Sequence, residues 1–181
     1  MCIRDRSWGG FNCLQVAALR PSALKAIITV CSTDDRYADD VHYRGGAVLI
    51  ENFSWASTIS GFMAKPPDPL LLPETWRENW LERLQNMPFF AKNWLEHTYK
   101  DAYWKHGSIN EDYSAIEAAV YCVGGWGDAY SVAIPRMIQG LTGPKKALIG
   151  PWAHKYPNFA SPKPEMDFLA EAKRWWDYWL K

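Results

Sequence analysis

The run Lys25-Ala-Ile-Ile-Thr-Val-Cys31 is β-branched and almost wholly apolar. A strand with one wet face alternates polar and apolar residues. A run that is apolar on both faces predicts a strand covered on both sides, as in parallel sheets with helices above and below. Just ahead of it, residues 8–19 place Phe11, Leu14, Val16, Ala17 and Ala18 in a helical pattern that stops at Arg20-Pro21. The same texture returns after Tyr113: a strand is predicted at 118–123, a helix at about 130–140, a strand at 146–149 and a long helix at 165–180. Strands separated by helices predict an α/β fold built on a parallel sheet with right-handed crossovers.

Between these two zones, residues 33–112 have a different character. Acidic and aromatic residues dominate, prolines cluster at 66, 67, 69 and 73, and no convincing strand is visible. Residues 74–86 put Trp76, Trp80, Leu81 and Leu84 on one face after Pro73, and residues 89–97 repeat the pattern with Phe90 and Trp94. The segment reads as a helical insertion into the α/β domain.

Charge and composition narrow the function. With 20 Lys+Arg against 20 Asp+Glu, the chain lacks the basic surplus on which counterion-release binding to nucleic acid depends. No stretch approaches the roughly 20 apolar residues of a membrane span, and residues 1–6 lack the apolar run of a signal peptide. Neither nucleic acid nor membrane is expected as a partner. Cys2, Cys13, Cys31 and Cys122 are scattered, with no CxxC pair and no histidine at ligand spacing. Neither metal nor cofactor is expected, and the free thiols lean toward a reducing, cytoplasmic compartment.

Three loop positions carry chemistry. Ser7-Trp8-Gly9-Gly10 opens the first helix, where a nucleophilic serine needs a sharp turn, small neighbours and a free backbone N–H behind it. Gly124-Gly125-Trp126-Gly127-Asp128 follows the 118–123 strand, with glycines that let the backbone turn and a carboxylate able to orient a histidine. Gly150-Pro151-Trp152-Ala153-His154 follows the 146–149 strand and offers a general base. Singly, Ser7 and Asp128 also read as helix caps and His154 as a packed or surface histidine. Jointly they run in the order Ser, Asp, His along one sheet edge, the chain order of α/β-hydrolases.

Together with the string Asp34-Asp35-Arg36-Tyr37-Ala38-Asp39-Asp40, these motifs resemble the α/β-hydrolase family of cocaine esterase, α-amino-acid ester hydrolases and X-Pro dipeptidyl-peptidases. The resemblance runs over nearly the whole chain after Arg6. It implies a serine hydrolase acting on small esters, amides or short peptides, with Ser7 as nucleophile, Asp128 and His154 completing a triad, and the Trp8 N–H in an oxyanion hole. It also implies that 33–112 is a helical cap between α/β parts at 7–32 and 113–181. Trp55 and Trp76 are candidate substrate-pocket residues, and Asp35 and Asp39 candidates for holding a substrate ammonium. A second copy of the chain is kept open as a partner.

The pattern departs from the family at both ends. Asp5 stands where the motif's first glycine belongs, and Arg4-Asp5-Arg6 is a poor central strand. Residues 1–6 are therefore expected to be a non-native leader, and the chain a partial α/β-hydrolase truncated at both ends and weakly active or inactive alone. The alternatives are a proline-specific dipeptidyl-peptidase and a non-catalytic remnant with a binding or assembly role.

Overall fold

The computed structural model describes all of residues 1–181. Four strands form a parallel sheet: β1 (Cys2–Arg6), β2 (Ala26–Val30), β5 (Ala119–Gly125) and β6 (Lys145–Gly150), in the spatial order β1-β2-β5-β6. Every residue of β2 and β5 is buried, as a strand apolar on both faces requires. Their side chains divide by parity. Ile27, Val120 and Cys122 face α1 (Trp8–Ala18) and α6 (Ala133–Gly140), meeting Leu14, Ile134 and Met137. Ile28, Val30, Tyr121 and Val123 face the opposite layer, where α7 (Phe168–Leu180) contributes Phe168 and Ala172. The structure is a partial α/β-hydrolase fold.

Residues 1–6, expected as a leader outside the sheet, take a place in it as an edge strand. Cys2–Arg6 pairs in register with Ala26–Val30, from Cys2 opposite Ala26 to Arg6 opposite Val30. The charges of Arg4, Asp5 and Arg6 are tolerated because β1 is an edge strand with none of its residues fully buried. Arg4 and Arg6 lay their guanidinium groups over the Tyr156 ring, 5.2 and 5.6 Å from its centroid.

The segment between β2 and β5 is mainly helical: α2 (Ile50–Met63), α3 (Trp76–Gln85), α4 (Phe90–Glu96) and α5 (Ala102–Lys105). It also holds a two-strand antiparallel ribbon, β3 (Tyr43–Arg44) with β4 (Ala47–Val48). Neither the ribbon nor α2 was expected. The ribbon has only two residues per strand, and α2 mixes Ser, Thr and Gly among its apolar residues, so neither shows a clear period. A separate small core of Tyr43, Ala56, Ala91, Trp94 and Trp104 holds the segment together. No helix is long and apolar enough to cross a membrane.

Candidate active site

The carboxyl ends of the four strands share one rim of the sheet, where loops leave the packed layers and side chains can converge. Ser7 stands between β1 and α1 with φ 58° and ψ −125°. That conformation is strained for a residue with a Cβ. The surrounding backbone holds it: the Ser7 N–H donates to the Val30 carbonyl at 2.9 Å, and the Phe11 N–H donates to the Ser7 carbonyl at 3.0 Å. Its side chain makes no cap hydrogen bond, so the hydroxyl is not used to finish the helix. A Cβ on Gly9 would lie 2.0 Å from Asp5 Oδ2, and one on Gly10 would lie 3.0 Å from the Val30 carbonyl oxygen. The small residues let α1 approach its own strand.

Asp128 follows β5 and is 7% exposed. It does not cap α6, whose N-cap is Val132 with no side-chain bond. Its Oδ1 instead lies 3.0 Å from His154 Nδ1. An ionised carboxylate only accepts, so the Nδ1 side of the ring donates, and in the neutral tautomer the lone pair lies on Nε2. Burial raises the Asp128 carboxyl, but hydrogen bonding to His154 and Cys31 outweighs it and holds the group below the usual carboxylate value. The loops carrying Asp128 and His154 are laced together: the Trp126 N–H donates to the Gly150 carbonyl at 2.9 Å, and the Gly127 N–H to the Trp152 carbonyl at 3.0 Å.

Of the glycines expected to serve turning, Gly127 lies in a turn, while Gly124 and Gly125 do not. Gly124 and Gly125 lie within β5, Gly125 opposite Gly150, and neither has a positive φ. A Cβ on Gly125 would fall 1.9 Å from the Trp152 carbonyl oxygen. The glycine is there for close approach between backbones.

Ser7, Trp8, Asp128 and His154 line one cleft of about 420 Å³, joined by Trp55, Asp40 and Tyr130. As the first residue of α1, Trp8 presents a backbone N–H with no acceptor inside the helix. The Trp8 and Trp55 rings lie 6.5 Å apart, and Tyr130 lies 5.7 Å from the His154 ring. Trp8 and Trp55 also border a second hollow of about 440 Å³, completed by Arg36, Ile59, Phe90, Trp94 and Tyr103.

The other candidates are not brought to the cleft. Trp76 stacks on Trp80 at 6.2 Å on α3 and borders neither hollow. Asp35 accepts from the Tyr37 and Ala38 N–H groups, from Lys100 and from Asn110. Asp39 is bound by Thr33 and by Arg136, which also grips Asp34. Both carboxylates are thus occupied within the protein, tying the helical segment to itself and to α6.

The residue of the acidic string that does border the cleft is Asp40, which accepts from the Tyr130 hydroxyl at 2.9 Å and the Val41 N–H at 2.7 Å. Burial pushes its pKa up to about 6 against those two bonds.

Sequence reasoning also missed Arg6 and Cys31. Arg6 donates to the His154 carbonyl at 2.6 Å, anchoring that loop from the strand that carries Ser7. Cys31 is buried beside Asp128, its thiol directed at the Lys155 carbonyl at 3.7 Å. Its position at the carboxyl end of the buried strand was the available signal, since that end belongs to the same rim as Ser7, Asp128 and His154.

Comparisons with known proteins agree with this architecture. The family description X-Pro dipeptidyl-peptidase (S15 family) matches residues 5–156. No curated protein sequence matches. Among solved structures, an aminopeptidase from the marine sediment archaeon Thaumarchaeota archaeon superposes with a TM-score of 0.63 at 14% identity, over 99% of this chain and 34% of its own. An α-amino acid ester hydrolase gives 0.54 at 17% identity, over 87% and 29%. The Pyrococcus horikoshii acylaminoacyl peptidase gives 0.56 at 13%, over 99% and 24%. The chain thus spans about a third of the length of these proteins or less. At such identities the likeness is one of fold.

Proposed function

Because the chain belongs to the X-Pro dipeptidyl-peptidase (S15) family and is a hydrolase by that membership, we propose that its cleft cleaves esters or amides through an acyl-serine intermediate. Ser7 Oγ attacks the substrate carbonyl carbon while His154 Nε2 takes the hydroxyl proton. The resulting imidazolium returns that proton to the leaving alkoxide or amine, and water then releases the acyl group by the same route. Asp128 holds the imidazole in the Nδ1–H tautomer and stabilises its charged form. The Trp8 N–H faces the oxygen that becomes negative. Residues 33–112 act as the cap, with Trp55 presenting an apolar wall opposite Trp8.

The observation that carries this reading is the coincidence of a strained Ser7 and a bonded Asp128–His154 pair on one cleft. A fluorophosphonate probe tests it, since the probe phosphonylates an activated serine irreversibly and needs no turnover. The expected result is stoichiometric label on Ser7, abolished by Ser7→Ala and slowed at least a hundredfold by His154→Gln. Label elsewhere, or none on the folded chain, overturns it.

The family match favours one narrower reading: the scissile bond follows an Xaa-Pro dipeptide. Comparing cleavage of Xaa-Pro anilides with that of simple aryl esters by the purified protein separates the two. Cleavage of the esters alone removes the dipeptidyl-peptidase reading.

A further inference from the structure

Beyond the serine chemistry, three chain segments bring a thiol, a carboxylate and an imidazole to one point. Cys31, Asp128 and His154 each offer a ligand atom, and these atoms all lie within 4.8 Å of one another. Each residue follows a different strand of the same sheet, Cys31 after β2, Asp128 after β5 and His154 after β6. No spacing in the sequence links them. Their proximity comes from the parallel order of the strands.

A second, separate observation points to a ligand. Asp128 uses one carboxylate oxygen on His154, while its buried Oδ2 has no strong donor and only the weak thiol of Cys31 beside it. The residue itself is 7% exposed. A buried carboxylate oxygen without a strong donor is costly, and a cation satisfies it.

We propose that Cys31 Sγ, the Asp128 carboxylate and His154 Nδ1 bind one divalent transition-metal ion of the Zn²⁺ type, and that its binding blocks the hydrolase. The ligand set selects the ion. Thiolate and imidazole suit zinc and its neighbours, whereas magnesium and calcium need shells of oxygen. Zinc bonds of roughly 2.0–2.3 Å place the ligand atoms of a tetrahedral site about 3.3–3.7 Å apart. The wider pairs must therefore draw together by about 1 Å at most, and Asp128 Oδ1 and His154 Nδ1, 3.0 Å apart, must open slightly, which side-chain rotation on the loops supplies. Water takes the fourth position from the cleft side, where His154 is partly exposed.

The blockade follows from proton accounting and rests on the reading of His154 as the base. The Cys31 thiol releases its proton to solvent as the sulfur–metal bond forms. The ion takes the Nδ1 lone pair, so the imidazole proton moves to Nε2 through water. Nε2, the nitrogen that serves Ser7 in that reading, is then an N–H donor and cannot accept the serine proton. Thiolate and carboxylate together balance the metal's two charges.

The test uses the purified chain carrying Cys2→Ser, with Co²⁺ as a spectroscopic stand-in for Zn²⁺. Expected is one equivalent bound with a thiolate-to-cobalt charge-transfer band, displaced by Zn²⁺. The band should vanish in Cys31→Ala and in Cys31→Ser, and Asp128→Asn and His154→Gln should weaken binding at least tenfold. Ser7→Ala should keep it, which separates metal binding from catalysis. Zn²⁺ should slow fluorophosphonate labelling of Ser7 at least tenfold, and chelator should restore it. If both Cys31 variants fail to fold, the partly exposed His154→Gln decides. Absence of the band in the folded parent, its survival without the Cys31 thiol, undiminished binding in His154→Gln, or unchanged labelling under bound Zn²⁺ each overturns the proposal. A chain that binds Co²⁺ but never labels at Ser7 refutes the hydrolase mechanism and, with it, the blockade.

Discussion

The α-carbon of Gly125 and the carbonyl of Trp152 are packed so closely that a methyl group on the first would lie 1.9 Å from the oxygen of the second. This contact sets the distance between the two loops that carry Asp128 and His154, because Gly127 donates to the same Trp152 carbonyl. Gly125→Ala must push the His154 loop away, since backbone cannot yield as a side-chain tip can. The expected result is a loss of about 1–3 kcal/mol of stability and at least tenfold slower labelling of Ser7. Gly124→Ala meets only the flexible end of Ile134 at 2.7 Å and should cost less. Denaturant melts and labelling rates of the pair check the order.

Ser7 adopts a backbone conformation that only glycine takes without strain. Both Ser7→Ala and Ser7→Gly should abolish labelling. Ser7→Gly should be the more stable of the two by about 1 kcal/mol, because alanine keeps the Cβ penalty of roughly 1–3 kcal/mol while glycine removes it at some cost in unfolded-state entropy. An alanine variant as stable as the glycine variant would mean that the turn is unstrained.

Asp40 and His42 should pull the pH dependence of stability in opposite directions. Both are buried, with His42 Nε2 3.8 Å from Asp40 Oδ2. Burial raises Asp40 to about 6, so between pH 6 and its ordinary value near 3.8 the folded state holds a proton that the unfolded state lacks. Acidification through that window therefore stabilises the fold. Burial lowers His42 to about 4, against its bond to Asn52. Between pH 6.5 and 4 the unfolded state holds the extra proton, and acidification destabilises the fold. The two effects nearly cancel from pH 6 to 4. Asp40→Asn should remove one of them, giving a variant more stable than the parent at pH 7 whose stability falls as pH drops from 6.5 to 4. Thermal melts from pH 4 to 7 measure it, and a profile parallel to that of the parent would contradict this assignment.

Arg6 ties the strand before Ser7 to the loop of His154 through its 2.6 Å bond to the His154 carbonyl. Arg6→Ala should slow Ser7 labelling several-fold and cost about 1 kcal/mol, consistent with a partly exposed charged hydrogen bond. Arg6→Lys should recover part of the rate. If both variants label at the parent's rate, the anchor plays no part in placing His154.

Much of this protein was legible in its sequence because local patterns report local burial. The almost wholly apolar run at Ala26–Val30 pointed to a strand covered on both faces, and the helical spacing before it and at the C-terminal end placed α1 and α7 to within a few residues. That Ser7, Trp8, Asp128 and His154 line one cleft follows from their positions beside strand ends, since in a parallel sheet those ends share a rim. The charged Arg4-Asp5-Arg6 reads as a poor central strand, and the sheet places it at an edge, a property that only the assembled sheet has. The acidic string misled for a related reason. Asp35, Asp39 and Asp40 look equivalent in one dimension, yet Lys100, Asn110 and Arg136 arrive from as many as 97 residues away to occupy the first two, and Asp40 is left at the cleft. The residues alone determined the kinds of element and the chemical groups at their ends. Tertiary structure decided which groups meet, as with Cys31, Asp128 and His154, because strand order and packing set distances between residues that chain connectivity leaves independent.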